Sequence, residues 1–254
     1  MINKELIQNR IDNFWGYGSL DAPVWFIGIE ERFDKEKFGV EMLEEQFKYA
    51  EDNMDNGILD ASRSKINEWK HLANMEPFLP NGKPQSTWRL PIALYLYFNN
   101  KTYPTKESIL DFQRNVLADG DKKEVATIEL SSLPAFSTND WSFYDKYEIL
   151  ELRSRKEYER HYLPRRAEQL GELVKLHKPK LVIFYSSNKN SHLPRWREVI
   201  GEELEIVTDD DKRLAMYFAQ TVDTSFCVIP QPTAGVSYDE LYEYADRVKD
   251  RIDL

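Results

Sequence analysis

The sequence predicts an α/β fold, a three-layer α/β/α sandwich around a central, mostly parallel sheet of four to five strands. Short, mostly apolar runs at 24–27, 125–130 and 181–185 are typical of strands buried on both faces. Segments with helical spacing separate these runs, so successive strands are joined by helices and run parallel. The chain has 254 residues and no repeat or linker-like tract, and 1–254 is expected to be a single domain.

The amino-terminal half is predicted to be helical around the first strand. Helices are expected at 1–12, 34–53, 69–75, 87–98 and 105–117. Thr87 and Thr105 stand where a helix cap is preferred, because their hydroxyls can accept from free backbone N–H groups. Residues 54–66 are polar and show no clear periodicity.

The carboxyl-terminal half alternates helices with short strands. Helices are expected at 155–177, 193–200 and 238–252, and strands at 204–208, 214–220 and 226–229. Pro164 is a candidate break in the first of these helices, and Ser237 is the expected cap of the last. Asp223 marks a turn between the last two strands.

Charged side chains follow the first apolar strand directly. Glu30, Glu31 and Arg32 come after the run that ends at Gly28. In parallel sheets, ligands bind beyond the carboxyl ends of the strands, so these residues are a candidate site. A solvated loop before a charged helix is the equally weighted alternative.

Three short motifs, in the same order along the chain, resemble the uracil-DNA glycosylase superfamily. The strand 22–28 resembles the one that enters the family's first catalytic motif, and 133–141 resembles the loop after its middle strand. The segment 229–232, Ile-Pro-Gln-Pro, resembles the second motif. The resemblance implies a uracil-DNA glycosylase-like fold and removal of a base from DNA.

The motifs also depart from the family pattern. Glu30 stands where one branch of the family has a water-activating Asp, and Glu31 replaces the usual Pro. Ile229 occupies the place of the family's catalytic His. The family's base-recognising Asn falls near Glu129, whose carboxylate would accept a hydrogen bond from an exocyclic amine. The resemblance therefore implies a modified or unusual base as substrate.

Each expected role follows from what base excision requires. Breaking an N-glycosidic bond builds positive charge on the sugar, and Glu30, with Glu31 second, would stabilise it or activate water. A flipped base needs a polar and aromatic pocket, for which the candidates are Tyr17, Glu129, Phe136, Trp141 and Asn188. The candidates for phosphate binding are Arg32, Arg195, Gln231, Thr233 and Gly235. Ordinary core packing is the alternative role for each aromatic residue.

The distribution of charge along the sequence is relevant to whether the protein binds DNA. The net charge of −10 opposes unspecific binding to nucleic acid. Residues 153–197, however, hold twelve Lys or Arg and four Glu, a local charge of +8 that leaves −18 on the remainder. This basic segment is interpreted as a phosphate-binding face, with a solvated helix surface as the alternative.

Composition narrows the remaining possibilities. Cys227 is the only cysteine and the four histidines are scattered, so no metal or other cofactor is expected. No apolar run approaches a membrane span and the first residues lack a signal-peptide pattern, so a cytoplasmic location without membrane contact is expected.

Three functions stay open. The first is a DNA glycosylase acting in repair or antiviral defence. The second is a non-enzymatic module that binds a nucleotide, a nucleic acid or a protein. The third is a hydrolase of free nucleosides.

Overall fold

A computed structural model of the chain describes residues 4–72, 75–135, 141–145, 147–188, 190–208, 215–232 and 235–254. Within them the fold is mixed α/β, with one eight-stranded, mostly parallel sheet. The strands are β1 Gly16–Tyr17, β2 Val24–Arg32, β3 Ile58–Leu59, β4 Val125–Ala135, β5 Leu181–Phe184, β6 Glu205–Ile206, β7 Tyr217–Gln220 and β8 Ser225–Val228. The α/β class expected from the sequence is therefore confirmed.

The sheet has the strand order β3-β1-β4-β2-β5-β8-β7-β6. The four central strands, β4, β2, β5 and β8, are parallel neighbours. β1 and β7 pair antiparallel with this centre, and β6 continues antiparallel from β7. The sheet is thus wider than the four to five strands expected. The additional strands β1 and β3 have two residues each, which is too few to produce a periodic pattern.

Helices pack against both faces of the sheet. They are α1 Lys4–Asn13, α2 Lys35–Asn53, α3 Arg63–Trp69, α4 Arg89–Asn100, α5 Lys106–Asn115, α6 Ser142–Asp145, α7 Arg155–His177, α8 Leu193–Ile200 and α9 Tyr238–Val248. Trp25 and Ile27 of β2 belong to a buried cluster shared with α1, α7 and α8. Val24 and Phe26 belong to a second cluster shared with α4, α5 and α9. Alternate residues of one strand therefore enter opposite cores.

Several helix predictions are confirmed in detail. α7 and α8 have the expected bounds, and α7 continues through Pro164 without a break. The Thr105 hydroxyl accepts from the Ser108 N–H at 3.1 Å and caps α5. Ser237 and Glu240 form a capping box at the start of α9.

Other predictions are corrected. Thr87 does not cap α4, because that helix begins at Arg89 and Trp88 occupies the cap position without a side-chain hydrogen bond. The unpatterned segment 54–66 contains β3 and the start of α3. The predicted helix 238–252 ends at Val248 and is followed by a short 3-10 turn.

Candidate functional site

The candidate site lies at the carboxyl ends of the central strands. β2 and β4 extend several residues beyond their apolar runs, so Glu30 and Glu31 lie within β2 and not in a loop after it. Gly28 is opposite Glu129, Glu30 is opposite Ser131, and the register shifts after that pair. The long pairing of β2 with β4 therefore brings the three glutamates to one end of the sheet.

Glu30 is held by the first residue of α7. The Arg155 Nη2 donates to Glu30 Oε1 at 2.6 Å, and the Arg155 Nε donates to Glu159 Oε1 at 2.7 Å. Burial raises the pKa of the Glu30 carboxyl, and Arg155 opposes this rise. Arg32 lies exposed at the end of β2. The ion pair of Glu30 in the described residues is thus with Arg155 and not with its sequence neighbour.

Glu31 is paired with α1. The Arg10 Nη2 donates to Glu31 Oε2 at 3.2 Å, and the Arg10 Nε donates to the Ser132 carbonyl at 3.1 Å. Burial raises the pKa of the Glu31 carboxyl, against the effect of Arg10. Burial and the nearby Glu31 carboxylate both raise the pKa of the Tyr17 phenol. Arg10 therefore orients the Glu31 carboxylate of β2 and also ties the end of α1 to β4 through the Ser132 carbonyl.

Glu129 has a different environment, because none of the described cations pairs with its carboxyl group. Its Oε1 accepts from the Tyr185 hydroxyl at 2.9 Å, and its buried Oε2 has no hydrogen-bond partner among the residues that the structure describes. The two side chains meet across β2 at Gly28, where an added Cβ would lie 2.4 Å from Glu129 Oε2 and 2.3 Å from the Tyr185 hydroxyl. Glycine at this position is what permits the contact between side chains of β4 and β5.

Burial raises the pKa of the Glu129 carboxyl well above its usual range. The carboxylates of Glu31 and Glu30 add to this rise, while the hydrogen bond from Tyr185 opposes it. The three glutamates thus interact electrostatically, and their environments differ. Two have an arginine partner and the third has a neutral phenol.

Buried polar atoms without partners concentrate in this region. Seven such side-chain atoms occur in the described residues, and four belong to residues of this strand end or to the arginines that pair with its glutamates. They are Arg10 Nη1, Glu129 Oε2, Ser132 Oγ and Arg155 Nη1. Buried polar groups normally have hydrogen-bond partners, and exceptions mark sites of ligands, ordered water or function.

A serine–histidine pair borders the site at the end of β5. The Ser186 Oγ lies 2.6 Å from His192 Nδ1, and the Trp196 indole donates to the Ser186 carbonyl at 2.6 Å. Burial lowers the pKa of the His192 imidazole, Glu159 opposes this, and Arg155 adds to it. The sequence pointed to the loop after β5 but not to this pairing, which depends on the return of the chain into α8.

Tyr17 and Trp141, two of the aromatic candidates, are buried. Tyr17 stacks on Trp69 with ring centroids 6.0 Å apart and receives a hydrogen bond from Gln46 Nε2 at 3.2 Å. The Trp141 indole donates to the Leu152 carbonyl at 2.8 Å and packs on Tyr158. Phe136, the other aromatic candidate, lies outside the described residues, as does Thr233.

Two of the candidate phosphate-binding residues follow the last strand of the parallel centre, β8. Gln231 and Gly235 are exposed in the segment after β8, and Gly235 has a φ of 87° with open space around its Cα. The Arg89 guanidinium donates to the carbonyls of Pro232 at 3.1 Å and Val236 at 3.2 Å, which ties these two residues to α4.

The other two surface candidates have local partners. Asn188 is exposed, and its side-chain oxygen accepts from the N–H groups of Asn190 and Ser191, which makes it a turn residue. Arg195 pairs with both carboxylate oxygens of Glu198, at 2.8 and 2.9 Å.

Part of the positive charge of the basic segment 153–197 is neutralised by ion pairs in the residues that the structure describes. Arg155 pairs with Glu30, Arg165 with Asp12, and Lys178 with Asp223. Arg166 is completely buried and bonds to backbone carbonyls. The segment therefore presents less free positive charge than its composition suggests.

No protein-family model matches the chain, and comparison with curated proteins yields no match. Function is therefore inferred from the geometry of the site.

Within the described ranges, no group of three or more His, Cys, Asp or Glu side chains is placed to hold a metal ion. Of the described helices, none combines the length and apolar character needed to cross a bilayer.

Proposed function

We propose that the protein is a DNA glycosylase-like hydrolase that cleaves the N-glycosidic bond of a modified or unusual base flipped out of DNA. The observation that carries this proposal is the convergence of Glu30, Glu31 and Glu129 at the carboxyl end of a parallel sheet, with different partners for each carboxyl group. Groups of one type whose environments separate their protonation behaviour are typical of acid–base sites.

Glu30 is the best placed of the three to act on water or on the sugar. Its side chain is 21% exposed, so a reactant can approach it, and Arg155 orients one of its oxygens. A raised pKa improves a carboxylate as a general base, because proton transfer is most effective when the pKa of the base lies near the working pH. The same carboxylate would stabilise positive charge developing on the sugar.

Glu129 would bind the base, since it is buried deeper and carries an unpartnered oxygen. Glu31, tied to Arg10 at the end of α1, would support the negative field at the site. Ile229, at the position of the family's catalytic His, is completely buried and offers no proton. The neighbouring strand end instead supplies His192, which is partly exposed.

The proposal extends to the fold family. We propose that the helices on both faces of the central four parallel strands form the three-layer sandwich of a uracil-DNA glycosylase-like enzyme. The proposed partner is DNA, bound near the segment 229–235 and the exposed Arg32.

The test is base release from oligonucleotides that carry natural and modified bases, with abasic sites counted after alkaline cleavage. We expect cleavage of at least one modified substrate, and we expect Glu30→Gln to lower its rate by roughly a hundredfold or more. Glu159→Gln is the matched control, because Glu159 also binds Arg155 but lies further out on α7. Loss of activity in Glu159→Gln alone, or no cleavage by the unmodified protein at low salt, would contradict the proposal.

A second candidate is a non-enzymatic module that binds a nucleotide or nucleic acid through the same site. The observation that favours it is that Glu30 and Glu31 are both engaged in ion pairs with arginines. Such a module would retain salt-dependent binding of oligonucleotides without producing abasic sites. Binding that survives in Glu30→Gln, with no product from any substrate, would favour this candidate over the enzyme.

A further inference from the structure

Glu129, Gly28 and Tyr185 form a row across three adjacent strands. Glu129 is paired with Gly28 in the register of β4 and β2. Tyr185 directly follows β5, and its N–H donates to the Ile27 carbonyl at 3.2 Å, which places it beside Gly28. The carboxyl group and the phenol therefore approach each other over a backbone without a side chain, at the end of the sheet where the proposed substrate binds.

The hydrogen bonds of this pair distinguish the two carboxyl oxygens. The Tyr185 hydroxyl donates to Oε1, so Oε1 acts as a hydrogen-bond acceptor in this pair. Within the described part of the chain, Oε2 has no hydrogen-bond partner, although Glu129 is only 7% exposed. A neutral carboxylic acid with this arrangement has its hydroxyl on Oε2, and that hydroxyl is an unused donor.

The charges that face Glu129 disfavour its ionised form. On β2 the nearest charged groups are the carboxylates of Glu30 and Glu31, and β5 contributes only the neutral phenol of Tyr185. Arg166 of α7 reaches the backbone carbonyl of Glu129, at 3.2 Å, and not its carboxyl group. A buried carboxylate without a cation is costly, so the group is expected to keep its proton.

We propose that Glu129 is a protonated carboxylic acid in the folded protein and that its Oε2 hydroxyl donates a hydrogen bond to the bound base. The substrate is then a base that presents an acceptor, a carbonyl oxygen or a ring nitrogen, towards β4. This reverses the direction of the hydrogen bond expected from the sequence, in which Glu129 accepts from an exocyclic amine. The identity of the ligand rests on the proposed function, whereas the protonation of Glu129 does not.

The protonation is tested without any ligand, through the pH dependence of unfolding. A carboxyl group whose pKa is raised in the folded state binds more protons there than in the unfolded state, so it lowers stability as the pH rises between the two pKa values. The unfolding equilibrium constant of the unmodified protein should rise, relative to that of Glu129→Gln, by up to about tenfold per pH unit above pH ~4.5. Glu168→Gln, at an exposed position on α7, is the control and should show no such difference.

If the ratio of the two unfolding equilibrium constants, unmodified protein to Glu129→Gln, stayed constant from pH 5 to 8, the proposed protonation of Glu129 would be overturned. Both proteins retain Glu30 and Glu31, so the difference between them reports the titration of Glu129 together with its repulsion by these two carboxylates. The comparison also remains valid for a protein that cleaves no DNA, so it separates this inference from the proposed function.

The donor role is tested on the oligonucleotide that the unmodified protein cleaves. The glutamine side chain has an N–H donor in place of the Oε2 hydroxyl and an oxygen that accepts from Tyr185. The cleavage rate of Glu129→Gln should therefore lie within about tenfold of that of the unmodified protein. It should also not fall at high pH, because the amide has no proton to lose there. Glu129→Ala should lose cleavage by about a hundredfold, and Glu129→Asp, whose shorter side chain withdraws the donor, should resemble it. Cleavage abolished equally in the Gln and Ala variants, with both folded, would overturn the donor role.

Discussion

Arg155 and Arg166 lie eleven residues apart on α7, yet one belongs to the site and the other to the core. Arg166 is completely buried, and its nitrogens donate to the carbonyls of Leu130, Ile11, Phe14 and Glu129 at 2.5 to 3.2 Å. Arg155 is half-buried, binds two carboxylates, and leaves its Nη1 without a partner. The same helix therefore contributes one arginine that stabilises the core and another that holds a glutamate of the candidate site.

The core arginine has its donors matched by backbone acceptors from α1, the segment after it, and β4. It also lies over the Trp15 ring at 4.0 Å. Such a network rigidifies the structure, because every participating group is satisfied. The arginine at the strand end is incompletely satisfied and holds an acid whose pKa is raised by burial, as expected for a group that meets a ligand.

The largest expected loss of stability comes from replacing the buried Arg166. Arg166→Met leaves several buried carbonyls without donors, and we expect it to lower the free energy of unfolding by roughly 4 kcal/mol or more. Chemical denaturation followed by circular dichroism measures this change. Arg165→Met is the control on the same turn, because its ion pair with Asp12 is half-exposed and is worth less than about 1 kcal/mol.

If Arg166→Met does not fold, Arg166→Lys sharpens the comparison. Lysine keeps the positive charge but lacks the planar guanidinium group that donates in several directions at once. We therefore expect Arg166→Lys to lower the free energy of unfolding by less than Arg166→Met does and by more than Arg165→Met does. Equal stability of Arg166→Met and Arg165→Met would contradict the structural role given to Arg166.

A smaller loss is expected from Gly28→Ala at the strand end. The new Cβ would clash with both members of the Glu129–Tyr185 pair, and we expect a cost of roughly 2 kcal/mol in the free energy of unfolding. Gly201→Ala is the control, since it has a φ of 71° but no atom within 4 Å of its Cβ, and should cost about 1 kcal/mol.

The same substitution can be examined in a Tyr185→Phe background, measured by denaturant unfolding in a double-mutant cycle. Removing the hydroxyl relieves one of the two closest contacts, so Gly28→Ala should cost less there. If the losses in free energy of unfolding from Gly28→Ala and Tyr185→Phe were strictly additive, the Cβ at position 28 would not be in contact with the Tyr185 hydroxyl.

The smallest effect on stability is expected at the surface. Arg195→Ala removes a half-exposed ion pair with Glu198 and should change the free energy of unfolding by less than about 0.5 kcal/mol, with less effect at high salt. If Arg195 contacts phosphate, the same variant should weaken oligonucleotide binding in a fluorescence anisotropy titration and reduce its salt dependence. Unchanged binding would remove Arg195 from the proposed interface.

Local patterns in the sequence were sufficient for the fold class and for much of the helical structure. The bounds of α7 and α8 and the caps at Thr105 and Ser237 depend on neighbouring residues, so they are visible in the chain itself. The position of Glu30 and Glu31 after a buried strand also identified the end of the sheet where the candidate site lies.

The partners of those acids were decided only by the tertiary structure. Arg10 and Arg155 lie 21 and 125 residues away from Glu31 and Glu30, and no local pattern connects them. The contact of Glu129 with Tyr185 depends on the register of three strands and on the missing side chain of Gly28. Residue type sets what a carboxyl group can do, but burial and charge from distant segments set its protonation state.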